Sequence, residues 1–310
     1  MRLWDFGRLK DSKVRISDKI GGPLGLMDGS QVFSTVFKYT HNGSQSYEIV
    51  LSTFGPENYR RICSATFYML DIPGACAQIA NFLGERNIDI LNSVSLSMIS
   101  NVCMVWKMLI DLSYYGDEEE LRGDFKRLKE EGSRSISKVD DLEISPSKIS
   151  DRFTKGVAPE TSSVRTKVVR KMTREPSMIV NGEFEIPGDH LEMFEGVEDG
   201  QPFMMVGDTD SWVLSLTFLA SDIELVEVGF VIPDRPGAIH EITDALAMHS
   251  INLLSVWTKV LVYYEKMTML VVADVSRCPL SNEELREDLK GFTESMRGNY
   301  RLESFEPIDF

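Results

Sequence analysis

One short pattern occurs twice in this chain and limits what it can fold into. Ala65-Thr66-Phe67-Tyr68-Met69-Leu70 runs into Asp71-Ile72-Pro73-Gly74-Ala75. The apolar run from Leu225 to Ile232 runs, through Pro233, into Asp234-Arg235-Pro236-Gly237-Ala238. Each copy begins as a strand, breaks at Pro-Gly and resumes as an amphipathic helix. Aligned without a gap, Ile79 falls on Ile242, Leu83 on Leu246, Ile88 on Ile251 and Ile90 on Leu253. Those are apolar positions at helical spacing in both copies.

The break has a physical meaning. Proline suits the first helical turn, where its missing N–H is no loss and its φ is already helical. Glycine has no Cβ, so another molecule can approach the backbone. The first N–H groups of the helix lack partners inside it and have the positive end of the helix dipole behind them. Such a corner suits a small molecule carrying a carboxylate. Asp-x-Pro-Gly is also a good turn and helix start, with the aspartate as cap, and that structural reading stays open beside the binding one.

Downstream the two copies continue alike. Leu91–Ile99 and Val102–Leu112 read as strands, then 117–131 as a helix and Ser135–Ile144 as a closing strand. In the second copy Leu253–Val262 and Met267–Val275 are strands. Ser281 with Glu284 three residues on is a capping box, and Tyr300–Phe305 closes the sheet. Strand, Asp-x-Pro-Gly, helix, then Ile-(Asp/Asn)-(Ile/Leu) opening the second strand resembles the ACT domain, a regulatory module that most often binds amino acids. The resemblance covers roughly 65–150 and 224–307. It implies an α+β fold of two ferredoxin-like βαββαβ modules.

A front piece precedes each module. In the first, Lys13–Ser17 is a strand, 18–26 a brief helix or turn, and Val32–Tyr39 and Tyr47–Phe54 a hairpin turning at His41–Ser44. In the second, Glu183–Pro187, Gly196–Gln201, Phe203–Val206 and Trp212–Phe218 follow the same order. The whole chain therefore reads as an internal duplication. The expected divisions are 1–60 (small β subdomain), 61–146 (ACT-like module), 147–176 (basic linker), 177–221 (second β subdomain) and 222–310 (second ACT-like module). The front piece is also similar to the swapped-hairpin barrels of AbrB-like proteins, some of which bind DNA as dimers. A plain β subdomain is the simpler reading.

The resemblance implies ligand positions. The carboxylate of an amino acid would meet the N–H groups near Gly74-Ala75 and Gly237-Ala238, and its ammonium would meet Asp71 or Asp234. The residue opening the next strand, Asp89 or Asn252, is a further acceptor. Ile72 stands where the second copy has Arg235, so the two corners differ in charge, and Arg235 could pair with an acidic ligand. No catalytic set is present: no Gly-x-Ser-x-Gly elbow, no phosphate-binding Gly-x-x-x-x-Gly-Lys and no His-Glu-x-x-His. His240-Glu241 reads as a first-turn polar contact. Cys63, Cys76, Cys103 and Cys278 form no metal-ligand spacing, and scattered cysteines fit a reducing compartment. No cofactor is expected.

The expected function is that of a non-enzymatic regulator that senses a small metabolite, most simply an amino acid. It would form a homodimer through its modules and relay the signal to a partner enzyme or gene. The alternatives are a nucleic-acid regulator using the front pieces and the basic linker, and a purely structural assembly subunit. No apolar run is long enough for a membrane helix and no signal peptide is visible, so a cytoplasmic location without membrane contact is expected.

Charge decides between the first two readings. The net charge is −15, and phosphate binding requires clustered Lys and Arg. Fluorescence anisotropy with duplex DNA at physiological salt should find nothing tighter than the micromolar background of non-specific binding. A tighter, steeply salt-dependent complex that is lost on neutralising Arg165, Lys167, Arg170 and Lys171 would reverse that order.

Overall fold

The structure is a computed structural model and describes residues 2–41, 44–55, 60–156, 167–173 and 175–310. The hairpin turn expected at Asn42-Gly43 and, in the basic linker, residues 157–166 with Arg165 lie outside these residues. The chain forms two compact units, Met1–Phe218 and Leu219–Phe310.

The first unit opens with strands β1 (Arg2–Arg8) and β2 (Lys13–Arg15), helix α1 (Asp18–Leu24), and strands β3 (Gln31–His41) and β4 (Ser44–Ser52). There follow β5 (Ile62–Leu70), α2 (Ala75–Gly84), β6 (Asp89–Ile99), β7 (Cys103–Asp111), α3 (Glu118–Glu130) and β8 (Val139–Pro146). The unit ends with α4 (Ile149–Lys155), β9 (Lys167–Met172), β10 (Ser177–Val180), β11 (Glu183–Glu185), α5 (Gly188–Leu191), β12 (Pro202–Asp208) and β13 (Val213–Phe218). The second unit holds β14 (Leu225–Pro233), α6 (Ala238–Met248), β15 (Asn252–Val262), β16 (Lys266–Asp274), α7 (Asn282–Ser295) and β17 (Arg301–Pro307).

Two four-stranded antiparallel sheets share one strand order. In the first it is β6-β7-β5-β8 and in the second β15-β16-β14-β17, so each places its second, third, first and fourth strands side by side. The register slips at matching places: between Ile90 and Asn92 and between Leu253 and Ser255, then between Ser97 and Ile99 and between Val260 and Val262. Strand β5 alternates half-buried and buried residues from Ile62 to Met69, the period of a sheet with one face on a core. Its helices cover that face, and Phe67, Phe82 and Phe125 meet edge to face at 5.9–6.5 Å. On α6, Ala238, Ile242, Ala245 and Leu246 are buried, one stripe of the 3.6-residue period. Burying a large aliphatic such as Leu246 is worth about 2 kcal/mol.

The two front pieces build a single nine-stranded sheet, in the order β1-β12-β13-β4-β3-β10-β11-β2 with β9 also on β3. Each piece sends its first hairpin to the other. Strand β1 pairs with β12, and β9 and β10 pair with β3. The hydrogen bonds are reciprocal. Leu9 N–H donates to Gln201 O, and Ile179 N–H to Ser30 O, both at 2.9 Å. Ile16 N–H donates to Gly182 O, and Ile186 N–H to Ser12 O, again at 2.9 Å. Both hairpins turn on two residues with positive φ, Asp11-Ser12 and Asn181-Gly182, the backbone of a type I′ turn. Aspartates cross between the pieces to cap these turns. Asp199 Oδ1 accepts the Asp11 N–H at 2.7 Å, and Asp28 Oδ1 accepts that of Asn181.

In the 147–176 stretch, α4 buries Ile149 and Phe153, two apolar anchors at i and i+4 in a polar run. Beyond it, Thr173 fastens the chain to β3. Its N–H and its Oγ1 both donate to Ser34 O, and the Ser34 side chain meets His190 Nε2 at 2.9 Å. His190 is fully buried and its Nδ1 has no partner among the described residues. Burial therefore holds the imidazole below its usual pKa, with Lys171 pushing the same way and Asp189 opposing.

This sets a pH dependence. The unfolded chain takes up a proton as pH falls through about 6.5, while folded His190 takes one up only at lower pH, so its contribution is present above that pH and shrinks below it. Urea midpoints measured at pH 7.5 and 5.0 should fall with pH. The fall should be smaller in His190→Asn. An identical fall in both proteins would show that His190 is not the group responsible.

Candidate functional site

Both strand–helix corners are built from the same parts. Gly74 and Gly237 sit at the N-caps of α2 and α6 with φ of 89° and 90°. That left-handed backbone strains any residue with a Cβ, so glycine is called for by conformation. Among the described residues, the first-turn N–H groups of Cys76 and Ala77, and of Ile239 and His240, have no acceptor. Ala75 and Ala238 are buried under their helices, whereas Ile72 and Arg235 are exposed.

The aspartates are in structural use. Asp71 Oδ2 accepts the backbone N–H of Asn101 at 3.0 Å and the Ser97 hydroxyl at 2.7 Å. Asp234 Oδ2 accepts the backbone N–H of Tyr264 at 2.7 Å. Asn101 and Tyr264 both have positive φ, 61° and 60°, at the tips of the β6–β7 and β15–β16 hairpins. Each aspartate therefore ties the end of its sheet's first strand to the turn between the second and third. Oδ1 of each is left without a partner among the described residues.

Asp89 and Asn252 do not join these corners. Asp89 pairs with Asp111, which pairs with Ile62 at the start of β5, whereas Asp71 follows the far end of β5. In the second module Asn252 pairs with Asp274, and Asp274 with Leu225 at the start of β14. The helix between the two strands returns the chain to the end of the sheet where the first strand began. Each residue is thus separated from its aspartate by the length of the sheet, about 25 Å at 3.3 Å per residue. Their expected role as second ammonium acceptors in the same corner is corrected accordingly.

Each corner has a cation that comes from a different place. In the first, Lys138 Nζ donates to Pro73 O at 2.7 Å and lies where it would be 2.9 Å from a Cβ on Gly74. In the second, Arg235 itself folds back. Its Nη2 lies 2.9 Å from both oxygens of Glu241 and from the Tyr300 hydroxyl. Tyr300 donates in turn to Glu241 Oε2. Burial first, then this hydrogen bond, push the Tyr300 phenol up to about 12, while Tyr300 and then Arg235 hold the Glu241 carboxyl below its usual range. The equivalent of Glu241 in the first corner is Gln78, which accepts the Lys138 N–H at 2.8 Å and donates to Arg134 O. Sequence reading did not single out Lys138, Gln78 or Tyr300 as corner residues and took Glu241 as a first-turn contact. Lys138 and Tyr300 enter from the start of the closing strand, far along the chain, where no local pattern marks them.

Both modules share one strand order and place the Asp-x-Pro-Gly-Ala corner between their first strand and first helix. No family model matches the chain, and no curated protein does. Among solved structures, one similar chain is a glycine cleavage system transcriptional repressor, at 13% identity and a TM-score of 0.27, covering 82% of this chain and 100% of that one. Others are the acetolactate synthase small subunit from Thermotoga maritima, at 9% identity, TM-score 0.20 and coverage of 80% and 92%, and aspartokinase alpha and beta subunits, at 12%, 0.18, 73% and 91%.

The aspartate bonds to the turns are testable directly. A hydrogen bond to a charged group is worth about 1.5 kcal/mol at the low end, or roughly tenfold in a local opening equilibrium. In Asp234→Ala the Tyr264 amide should exchange with solvent roughly tenfold faster, and in Asp71→Ala the Asn101 amide should do so. Unchanged exchange at these amides would show that the aspartates do not hold the turns.

Proposed function

We propose that the chain is a non-enzymatic regulatory protein whose two ferredoxin-like modules, products of an internal duplication, sense a small amino acid at their strand–helix corners. The divisions taken from the sequence are retained: front pieces at 1–60 and 177–221, modules at 61–146 and 222–310, and a basic connection at 147–176. The observation that carries the reading is a corner built twice, with free first-turn N–H groups, a glycine in the left-handed region and a cation beside it.

The ligand's carboxylate would lie on the N–H groups of Cys76 and Ala77 or of Ile239 and His240, over Gly74-Ala75 or Gly237-Ala238. Lys138 or Arg235 would supply charge. Its ammonium would meet the open Oδ1 of Asp71 or Asp234. Ile72 offers the first corner an apolar wall where Arg235 makes the second a polar one. Glu241 already holds Arg235, so an acidic ligand at the second corner must compete with that carboxylate. The signal would pass to a partner enzyme or a gene.

A homodimer would form through β15. This strand ends its sheet, and Val256, Trp257 and Leu261 on it are 44%, 51% and 49% exposed, an edge that invites pairing with a second copy. One observation favours nucleic-acid regulation as the second reading. The front pieces exchange hairpins, as the AbrB-like resemblance would have it. Among the described residues no helix is long and apolar enough to cross a membrane.

A thermal-shift screen of the twenty amino acids should find a stabilising ligand, since 100 times the Kd adds about 2.7 kcal/mol. Calorimetry should then find that Asp234→Asn or Asp71→Asn weakens it about tenfold through the lost charge. The asparagine oxygen can still cap the turn. If none of the twenty binds, or if the affinity is the same in Asp71→Asn, Asp234→Asn and Arg235→Ala, the corners are helix starts and nothing more.

A further inference from the structure

We propose that the cavity between the Asp11-Ser12 turn and the segment after α5 binds a small organic ammonium carrying an apolar tail. The cavity measures about 410 Å³, within the range of small-molecule sites. Its walls come from both front pieces: Leu9 and Asp11 from one, Leu191, Phe194, Val197 and Asp199 from the other. It exists only because the pieces interlock. Leu9 is buried, and Leu191, Phe194 and Val197 are half-buried and packed on the core of the unit. They present an apolar surface to the cavity.

The rim is acidic. Asp11 and Asp199 are exposed. The bond from the Asp11 N–H fixes Asp199 through Oδ1 at 2.7 Å. That leaves Asp199 Oδ2 and the whole Asp11 carboxylate without a partner among the described residues. Nearby cations are outside the cavity lining: Arg8 donates to Gly200 O, and Lys10 and Lys13 flank the turn. An anion entering here would meet two carboxylates in a chain of net charge −15. An ammonium would meet two acceptors, and its tail would cover the apolar wall. A free amino acid fits poorly, since its own carboxylate would stand beside Asp11 and Asp199. This site is therefore distinct from the corners. The reciprocal turn, Asn181-Gly182, lacks the side-chain carboxylate of Asp11 and so has no two-carboxylate rim.

The test is a titration of isotope-labelled full-length protein, followed by NMR, with 2-phenylethylammonium, 2-phenylethanol and 3-phenylpropionate. The ammonium should shift the amides of 9–12 and 191–199 and should bind tightest. The alcohol should bind the same place more weakly and the carboxylate not at all. Asp11→Asn and Asp199→Asn should each weaken the ammonium by roughly threefold, as for exposed charge pairs, and leave the alcohol unchanged. The asparagine at 199 retains an oxygen for the Asp11 N–H. Val197→Trp should fill the cavity and abolish both while the spectrum keeps its dispersion. Asp234→Asn should change none of this, so the corners and this cavity stand or fall separately. Equal affinity for ammonium and alcohol, shifts confined to other residues, no binding by the intact protein, or no effect of either asparagine variant would each overturn the proposal.

Discussion

One interaction recurs at four turns of this chain: an aspartate carboxylate accepting the backbone N–H of a residue in the left-handed region. Asp28 serves Asn181, Asp199 serves Asp11, Asp71 serves Asn101 and Asp234 serves Tyr264. All four acceptors come from another turn or corner, so each bond closes a tertiary contact along with a turn. A left-handed residue that is not glycine is strained, and its N–H at a hairpin tip often points away from the ladder. A charged acceptor offsets both costs. Two of these bonds interlock the front pieces, and two lock hairpins to the corners.

This constraint explains why aspartate stands in both corners. The residue is fixed by the turn it caps before any ligand is considered, and binding can use only the oxygen left over. The corners differ in how their cations are held. Lys138 rests on a carbonyl and can leave it at little cost. Arg235 grips a carboxylate and a phenol at once, and the planar fork of a guanidinium makes that grip geometrically exacting. Two sites with one backbone plan therefore differ in what must be released before a ligand enters.

Much of this was legible in the sequence because it is local. Helix α6 spans Ala238–Met248 as its apolar spacing indicates, and Ser281 with Glu284 forms the expected capping box. What was not legible depends on partners distant in the chain. Strand β1 shows a short apolar cluster, Leu3, Trp4 and Phe6, among polar residues, and it is a strand because Pro202–Asp208 lies beside it. The alternation of a hairpin strand is the same whether it folds onto its own piece or onto another, so the exchange leaves no trace in the periodicity. Asp89 and Asn252 were misplaced for the converse reason. Nearness past a helix suggested nearness in space, whereas the helix carries the chain back across the sheet. Lys138 and Tyr300 were missed because they reach the corners from the closing strand.

The exchange of hairpins has a consequence for synthesis. Arg2 pairs with Asp208 and Gln31 with Met178, so β1 leaves the ribosome long before its partner does, and β3, with β4 on one side, waits for the strand on its other. The segment from Ile62 to Pro146 completes its own sheet in the meantime. Domains fold as units during translation, at about 5–20 residues per second. The front piece therefore spends on the order of ten seconds as an open apolar edge. That interval, with Val32, Val36 and Ile49 uncovered, is when a nascent chain of this kind most needs a chaperone.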